Sequence, residues 1–408
     1  MLPGAPEGVK GRRPYTRPMH GRWRRGAFVG VLVSAMASAT FMPAGLGIVA
    51  SSIIDDLGIS RAQLGGLITA TVVVAAAGSP AVGRLTDVIG GRRSVALVFG
   101  TTAVGFFGLA VSPWYWVAYA PVVVASIGQA AGNPSTNKLI ALHAEPGRRG
   151  VVTGIKQSGV QAGVFLGGLA VPAVVAGPGW RWAMVIVAVV PLLGLLTTML
   201  ALPADGRVAP GFEDRKRRPL PVSVWYLAAY GGLLGFGGAY MFLVPLYVEE
   251  ALGGSDTVGG LAVGFTGLVA LIGRIVWAHV SEREHRYAEV LVVLAALSLA
   301  GIATFAIAEP WGVGWIWAGV VLTGVSSSSW NSVGMLAVIH ESGVELAGRA
   351  SGVVMLGFLT GLGVAPALFG WTVDTTGSYA AMWILSAVTS AGSLVVALRW
   401  RAVVRPQS

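Results

Sequence analysis

Apolar residues fill long runs of this chain, and charged residues collect in the short breaks between them. A helix that crosses a bilayer needs about 20 mostly apolar residues. Runs of that kind occupy 27–52, 63–82, 94–112, 115–142, 151–176 and 181–201, then 223–248, 257–280, 288–308, 312–339, 350–371 and 379–398. The pattern predicts twelve membrane-spanning helices and an all-α membrane protein. It divides the chain into an N-terminal arm (1–26), a six-helix half (27–201), a polar linker (202–222), a second six-helix half (223–398) and a tail (399–408). Arg24 and Arg25, followed by an apolar stretch and the small residues Ser34 to Ala39, imitate a signal peptide. The run continues past Ala39 to Ile54, however, so a first membrane helix is expected there.

Composition narrows the class. Only 11% of the 408 residues are charged, against about 25% in a soluble domain. So few charges cannot cover the surface of a soluble chain this long, which excludes a soluble enzyme, a disordered protein and an ordinary nucleic-acid binder. The net charge of +10 changes meaning once the 28 basic residues are sorted by position. With the N-terminus inside, 23 of them fall in the arm, the linker, the tail and the loops on the same side, and only Arg61 and Arg181 fall on the other side. This asymmetry predicts a multi-pass protein of the bacterial inner membrane with both termini cytoplasmic. The basic arm is free to touch anionic lipid, and no nucleic-acid partner is expected. The chain contains no Cys, so disulfides and thiol chemistry are excluded.

The two halves echo each other. Asn137–His143 matches Gly334–His340 at an offset of 197, and Thr153–Gly159 matches Ser351–Gly357 at 198. Gly83, Leu85 and Asp87 match Ala278, Val280 and Glu282 at 195. A parallel repeat of this kind predicts two pseudo-symmetric bundles with the working site between them, near the bilayer midplane.

The segment after the second run, Gly83-Arg84-Leu85-Thr86-Asp87-Val88-Ile89-Gly90-Gly91-Arg92-Arg93, resembles the loop signature of the major facilitator superfamily. Gly83, Leu85, Asp87, Gly90 and Arg92 match it, whereas Val88 and Gly91 replace usual basic residues. The resemblance implies a secondary transporter with alternating access, monomeric and without a cofactor. It implies a conformational latch formed by Gly83, Asp87, Gly90 and Arg92.

Three cations lie inside predicted spans, Lys138, Lys156 and Arg274, and no Asp or Glu does. An intramembrane charge costs about 2.5–3.5 kcal/mol on insertion scales and marks a functional site by default. With no acid nearby, a bound anion is the natural counter-charge. Candidate substrate contacts are Lys156, Arg274, Lys138, Gln157, Gln161, Asn133, Asn331 and Trp330. The bland alternatives are snorkelling for the lysines, backbone packing for Arg274 and core packing for Trp330. Gly159, Gly163, Gly167 and Gly168 resemble the antiporter motif of drug exporters, but Val164 stands where that motif has Pro. The leading expectation is a carrier of a small organic anion, and efflux of hydrophobic or cationic compounds is the alternative. A membrane enzyme would need clustered His, Asp or Glu at a membrane face, which the sequence does not show.

Overall fold

The computed structural model describes residues 22–144, 149–202, 219–283 and 286–404. Most of the expected arm and of the linker, and the last tail residues, lie outside them, and α1 begins at Arg22, within the expected arm. The described chain is helical throughout. In order the helices are α1 (Arg22–Thr40), α2 (Met42–Ile48), α3 (Ala50–Leu57), α4 (Arg61–Ile89), α5 (Gly91–Ala110), α6 (Tyr115–His143), α7 (Arg149–Val175) and α8 (Trp180–Ala201). After the linker come α9 (Val222–Gly238), α10 (Val244–Glu250), α11 (Asp256–Arg283), α12 (Tyr287–Ala306), α13 (Ala308–Trp311), α14 (Trp315–Val325), α15 (Trp330–Thr376) and α16 (Ala380–Val404).

Among the described residues, nine helices are long and apolar enough to cross a membrane unaided. The three expected spans that fall short do so for visible reasons. The first is bent by 56° between α1 and α2, and the fourth, α6, carries Gln129, Asn133, Ser135, Thr136 and Asn137. The tenth is broken at Ser326–Ser329, between α14 and α15. Helical backbone then continues from Trp330 through 47 residues, but it cannot be straight. Asn331 Nδ2 lies 3.8 Å from Met355 Sδ, whereas 24 residues of straight helix span about 36 Å. The chain reverses between them, as the separation of the tenth and eleventh apolar runs requires.

A symmetric pair of breaks was not read from the sequence. Seven-residue helices α2 and α10 follow a bend in the first span and a 3-10 turn (Ala239–Phe242) in the seventh, and each has Pro (Pro43, Pro245) in its first turn. Proline lacks the N–H that a continuous helix needs, so it opens a new one. Gly47 of α2 rests against the Phe242 carbonyl, where a side chain would collide.

Loops that join α4 to α5 and α6 to α7 define the basic face, and those that join α3 to α4 and α10 to α11 define the acidic face. Contacts between first-half and second-half helices concentrate toward the acidic face. Gly65 of α4 meets the Pro366 carbonyl of α15, and Gly363 meets Val72 and Val73. Gly168 of α7 meets Gly260 and Gly264 of α11, and the Phe165 and Phe265 rings are 5.9 Å apart. Glycine at these positions lets backbones touch where any side chain would hold them apart.

At the same face Ser51 donates to Asp256 Oδ1 at 3.1 Å across the halves. Burial pushes the Glu249 carboxyl up to about 7, helped by neighbouring Asp256 and Asp55 and opposed by Ser51. Its Oε2 is buried with no donor. A raised carboxyl binds its proton more tightly in the folded protein, so its stabilising share is complete below the ordinary 4.5 and is lost as pH rises through 7. The Glu249→Gln variant should therefore show a flatter melting-temperature profile between pH 4.5 and 8 than the parent.

Candidate functional site

The polar groups of the basic half of the spans form two sets, one on each half. Lys156 of α7 is 0% exposed. Its Nζ donates to Asn133 Oδ1 at 3.0 Å and to Asn137 Oδ1 at 2.7 Å. These asparagines are one turn apart on α6, share a face, and are both exposed. Gln157 Nε2 adds a 3.3 Å bond to Asn133 Oδ1. An ammonium only donates, so it turns both amide oxygens toward itself. No described group accepts from Nδ2 of Asn133 or Asn137. The first half thus presents two oriented amide donors backed by a buried positive charge.

On the second half, the break at Ser326–Ser329 frees carbonyls that helix α14 would otherwise use. Side chains of α11 take them up: Trp277 Nε1 donates to Val325 O at 2.7 Å, and Arg274 Nε donates to Ser328 O at 3.1 Å. Ser329 Oγ reaches back to Ala270 O at 3.2 Å. Arg274 therefore makes the backbone bond expected of a packing arginine. It does so with one of its five donors, and among the described residues nothing accepts from Nη1 or Nη2.

The register of α7 against α11 relates the two sets. The helices meet where Gly267 faces the Gln161 carbonyl, with room of only 3.0 Å for a Cβ. Gln161 is buried at that crossing. From it, Lys156 lies five residues and Arg274 seven residues toward the basic face, which is about 7.5 and 10.5 Å by helical rise. The two cations sit at similar depth on facing helices, below the glycine-packed seal.

Other expected contacts lie elsewhere. Lys138 Nζ donates to Thr86 O at 2.9 Å, at the end of α4, and so belongs with the loop signature. Trp330 is 1% exposed, with its ring 5.8 Å from Tyr230 and 5.2 Å from Phe358. Asn331 faces Met355 in the same half. Asn137 and Trp277 were not singled out as site residues. The four-residue spacing of Asn133 and Asn137 was the available signal for the first, while Trp277 needs the helix break to be seen.

In the loop signature, Gly90 joins α4 to α5 with φ 91° and ψ 166°, a region essentially restricted to glycine. Gly90→Ala should lower stability by about 1–3 kcal/mol, read as a lower melting temperature. Arg92 Nη2 donates to Met199 O at 2.5 Å, tying α5 to the end of α8. A Cβ on Gly83 would meet nothing within 4 Å, so Gly83 mediates no close helix approach in this conformation. The side chain of Asp87 lies outside the described residues. The glycine row of α7 packs on the first span: Gly159 on the Val33 carbonyl and Gly163 on Ala37 of α1, and Gly167 on Phe41, between α1 and α2.

Comparisons with known proteins agree with this architecture. A gentisate transporter of Corynebacterium glutamicum is 27% identical over 384 residues, covering 86% of this chain and 83% of that protein. A probable nitrate/nitrite transporter of Mycobacterium tuberculosis is 27% identical over 289 residues, covering 64% and 67%. Two crystal structures of a bacterial homolog of the human lysosomal transporter Spinster share the fold. The inward-facing occupied form has a TM-score of 0.67 at 17% identity, covering 96% of both chains. The inward-facing unoccupied form has a TM-score of 0.70 at 15% identity, covering 94% and 96%. The family model itself matches residues 27–358, and with the kinked, glycine-packed helices it places the chain in the Major Facilitator Superfamily of membrane transporters.

Proposed function

We propose that this protein is a secondary transporter of small organic anions in the bacterial inner membrane, with both termini cytoplasmic and acting as a monomer. The observation that carries the reading is Arg274, which is anchored through Nε while Nη1 and Nη2 are without a described acceptor. A carboxylate is the group that two parallel guanidinium donors grip best. Opposite it, the Asn133 and Asn137 amides backed by Lys156 supply further donors and positive potential. The halves 27–201 and 223–398, joined by the 202–222 linker, rock against each other, and the anion draws them together at its own depth. The residues of the loop signature, Gly83, Asp87, Gly90 and Arg92, serve as the latch on the basic face. The transport of anions by the gentisate and nitrate/nitrite relatives supports this reading. Efflux of hydrophobic or cationic compounds is the alternative, and it ranks lower because a cation would meet Lys156 and Arg274 with no Asp or Glu in the predicted spans.

A thermal-shift screen of purified protein tests the proposal. A ligand at 100 times its Kd adds about 2.7 kcal/mol to the native state. Aromatic and aliphatic carboxylates should raise the melting temperature, and cationic dyes should not. Stabilisation by cations alone would overturn it.

A further inference from the structure

The acidic face holds two arginines, and both are ion-paired. Arg181 Nη2 reaches Asp56 at 2.6 Å within the first half. Arg61 instead crosses between the halves. Its Nε and Nη2 grip Glu250 at 2.8 and 2.7 Å, a two-pronged pair, and its Nη1 reaches Asp374 at 3.3 Å. Tyr379 donates to the same Glu250 at 2.6 Å and fixes that carboxylate in place.

Asp374 does more than pair with a side chain. The first backbone N–H groups of a helix have no partner within the helix. Ser60 and Gln63 form a capping box at the start of α4, which leaves Arg61 and Ala62. Their N–H groups donate to Asp374 at 3.2 and 2.8 Å. The carboxylate at the end of α15 thus caps α4 from the opposite half, and the helix dipole favours a negative charge there. Gly370, one turn earlier on α15, sits against the Arg61 carbonyl where a Cβ would collide. One short segment of α4 is therefore gripped through side chain, N–H groups and carbonyl.

We propose that Arg61, with Glu250 and Asp374, is the lock that holds the acidic-face mouth of the transport pathway shut. Opening that mouth must separate α4 from α10 and α15, so it breaks these five bonds together and exposes two uncapped N–H groups. The side chains of Arg61, Glu250 and Asp374 are 32%, 25% and 19% exposed. Water is near enough to take over the released partners, which suits a reversible lock better than a buried ion pair would.

The chain has no Cys, so single introduced cysteines report cleanly on opening. Val72 is 1% exposed and faces Gly363 across the halves, and Asn137 is exposed on the basic side. Purified Val72→Cys and Asn137→Cys proteins are to be labelled with a bulky hydrophilic maleimide, each with and without Arg61→Gln. Removing the lock should raise the labelling rate at position 72 roughly three- to ten-fold and lower it at 137, as the population shifts between two states. Glu250→Gln should act in the same direction, so the outcome does not depend on one variant folding. An unchanged rate at 72, or a rise at both positions, would overturn the lock. Labelling needs no solute, so it tests the gate independently of the transported anion.

Discussion

Arg274→Ala should reduce anion uptake into proteoliposomes at least roughly thirty-fold, because truncating one partner of a desolvated charge contact costs about 2–5 kcal/mol. The same change should remove ligand-induced thermal stabilisation while the unliganded melting temperature falls little. Only one bond, from the charged guanidinium Nε to Ser328 O, is lost from the resting structure, and the desolvation cost of a buried cation is lost with it. Arg274→Lys separates charge from geometry. Lysine has one nitrogen, so it cannot hold the Ser328 carbonyl and offer a two-pronged grip together. It should restore a minor part of the uptake. Lys156→Met should also abolish uptake, by another route. It keeps the length of the buried side chain but removes the positive charge, frees Asn137 Oδ1 and leaves Asn133 Oδ1 to Gln157 alone, so the amides are no longer held as donors by an ammonium. Full uptake by both Arg274→Ala and Lys156→Met would defeat the anion-site assignment.

Gly168→Val should stop transport without unfolding the protein. A Cβ there would sit 2.6 Å from Gly264 Cα and against the Gly260 carbonyl, both on the opposite half. The clash falls on the interface that must close and reopen. About 3 kcal/mol of overpacking shifts such an equilibrium by roughly 100-fold. Position 72 should become readily labelled in this variant, as the acidic face is wedged apart. Gly361→Val is the contrast. Its neighbour is the Gly232 carbonyl, within the second half. That variant should lose folded protein in size-exclusion chromatography, because the α9–α15 contact is part of a single bundle.

Much of this was legible in the sequence. The all-α class followed from run length, because an apolar stretch of about 20 residues has few alternatives to crossing a bilayer, and nine of the twelve expected spans are long and apolar enough among the described residues. The three intramembrane cations were visible for the same reason. What they touch was not. Lys138 and Lys156 stand at similar depths on neighbouring helices, yet one bonds a helix end and the other two asparagines. Helical rise gives depth along an axis, but the rotation of a helix about that axis depends on what it packs against. The α7 glycines show the same limit. Their spacing declared a smooth face, and only packing assigned that face to the first span for three of them and to α11 for Gly168.

The acidic-face lock illustrates the division most clearly. Arg61 stood out in the sequence as one of two basic residues on its side, and Glu250 and Asp374 as acids on the same side. These residues are 189 and 313 positions apart from Arg61, and nothing local links them. The sequence alone determined which runs are apolar enough to cross a membrane, how the basic residues sort between their breaks, and that three cations and no acid fall within those runs, since transfer free energy acts residue by residue. Only the tertiary structure decided which helices meet and which carbonyls a break leaves for Arg274 and Trp277. It also decided which carboxylate caps α4, because hydrogen bonds and close backbone contacts depend on ångström distances between segments remote in the chain.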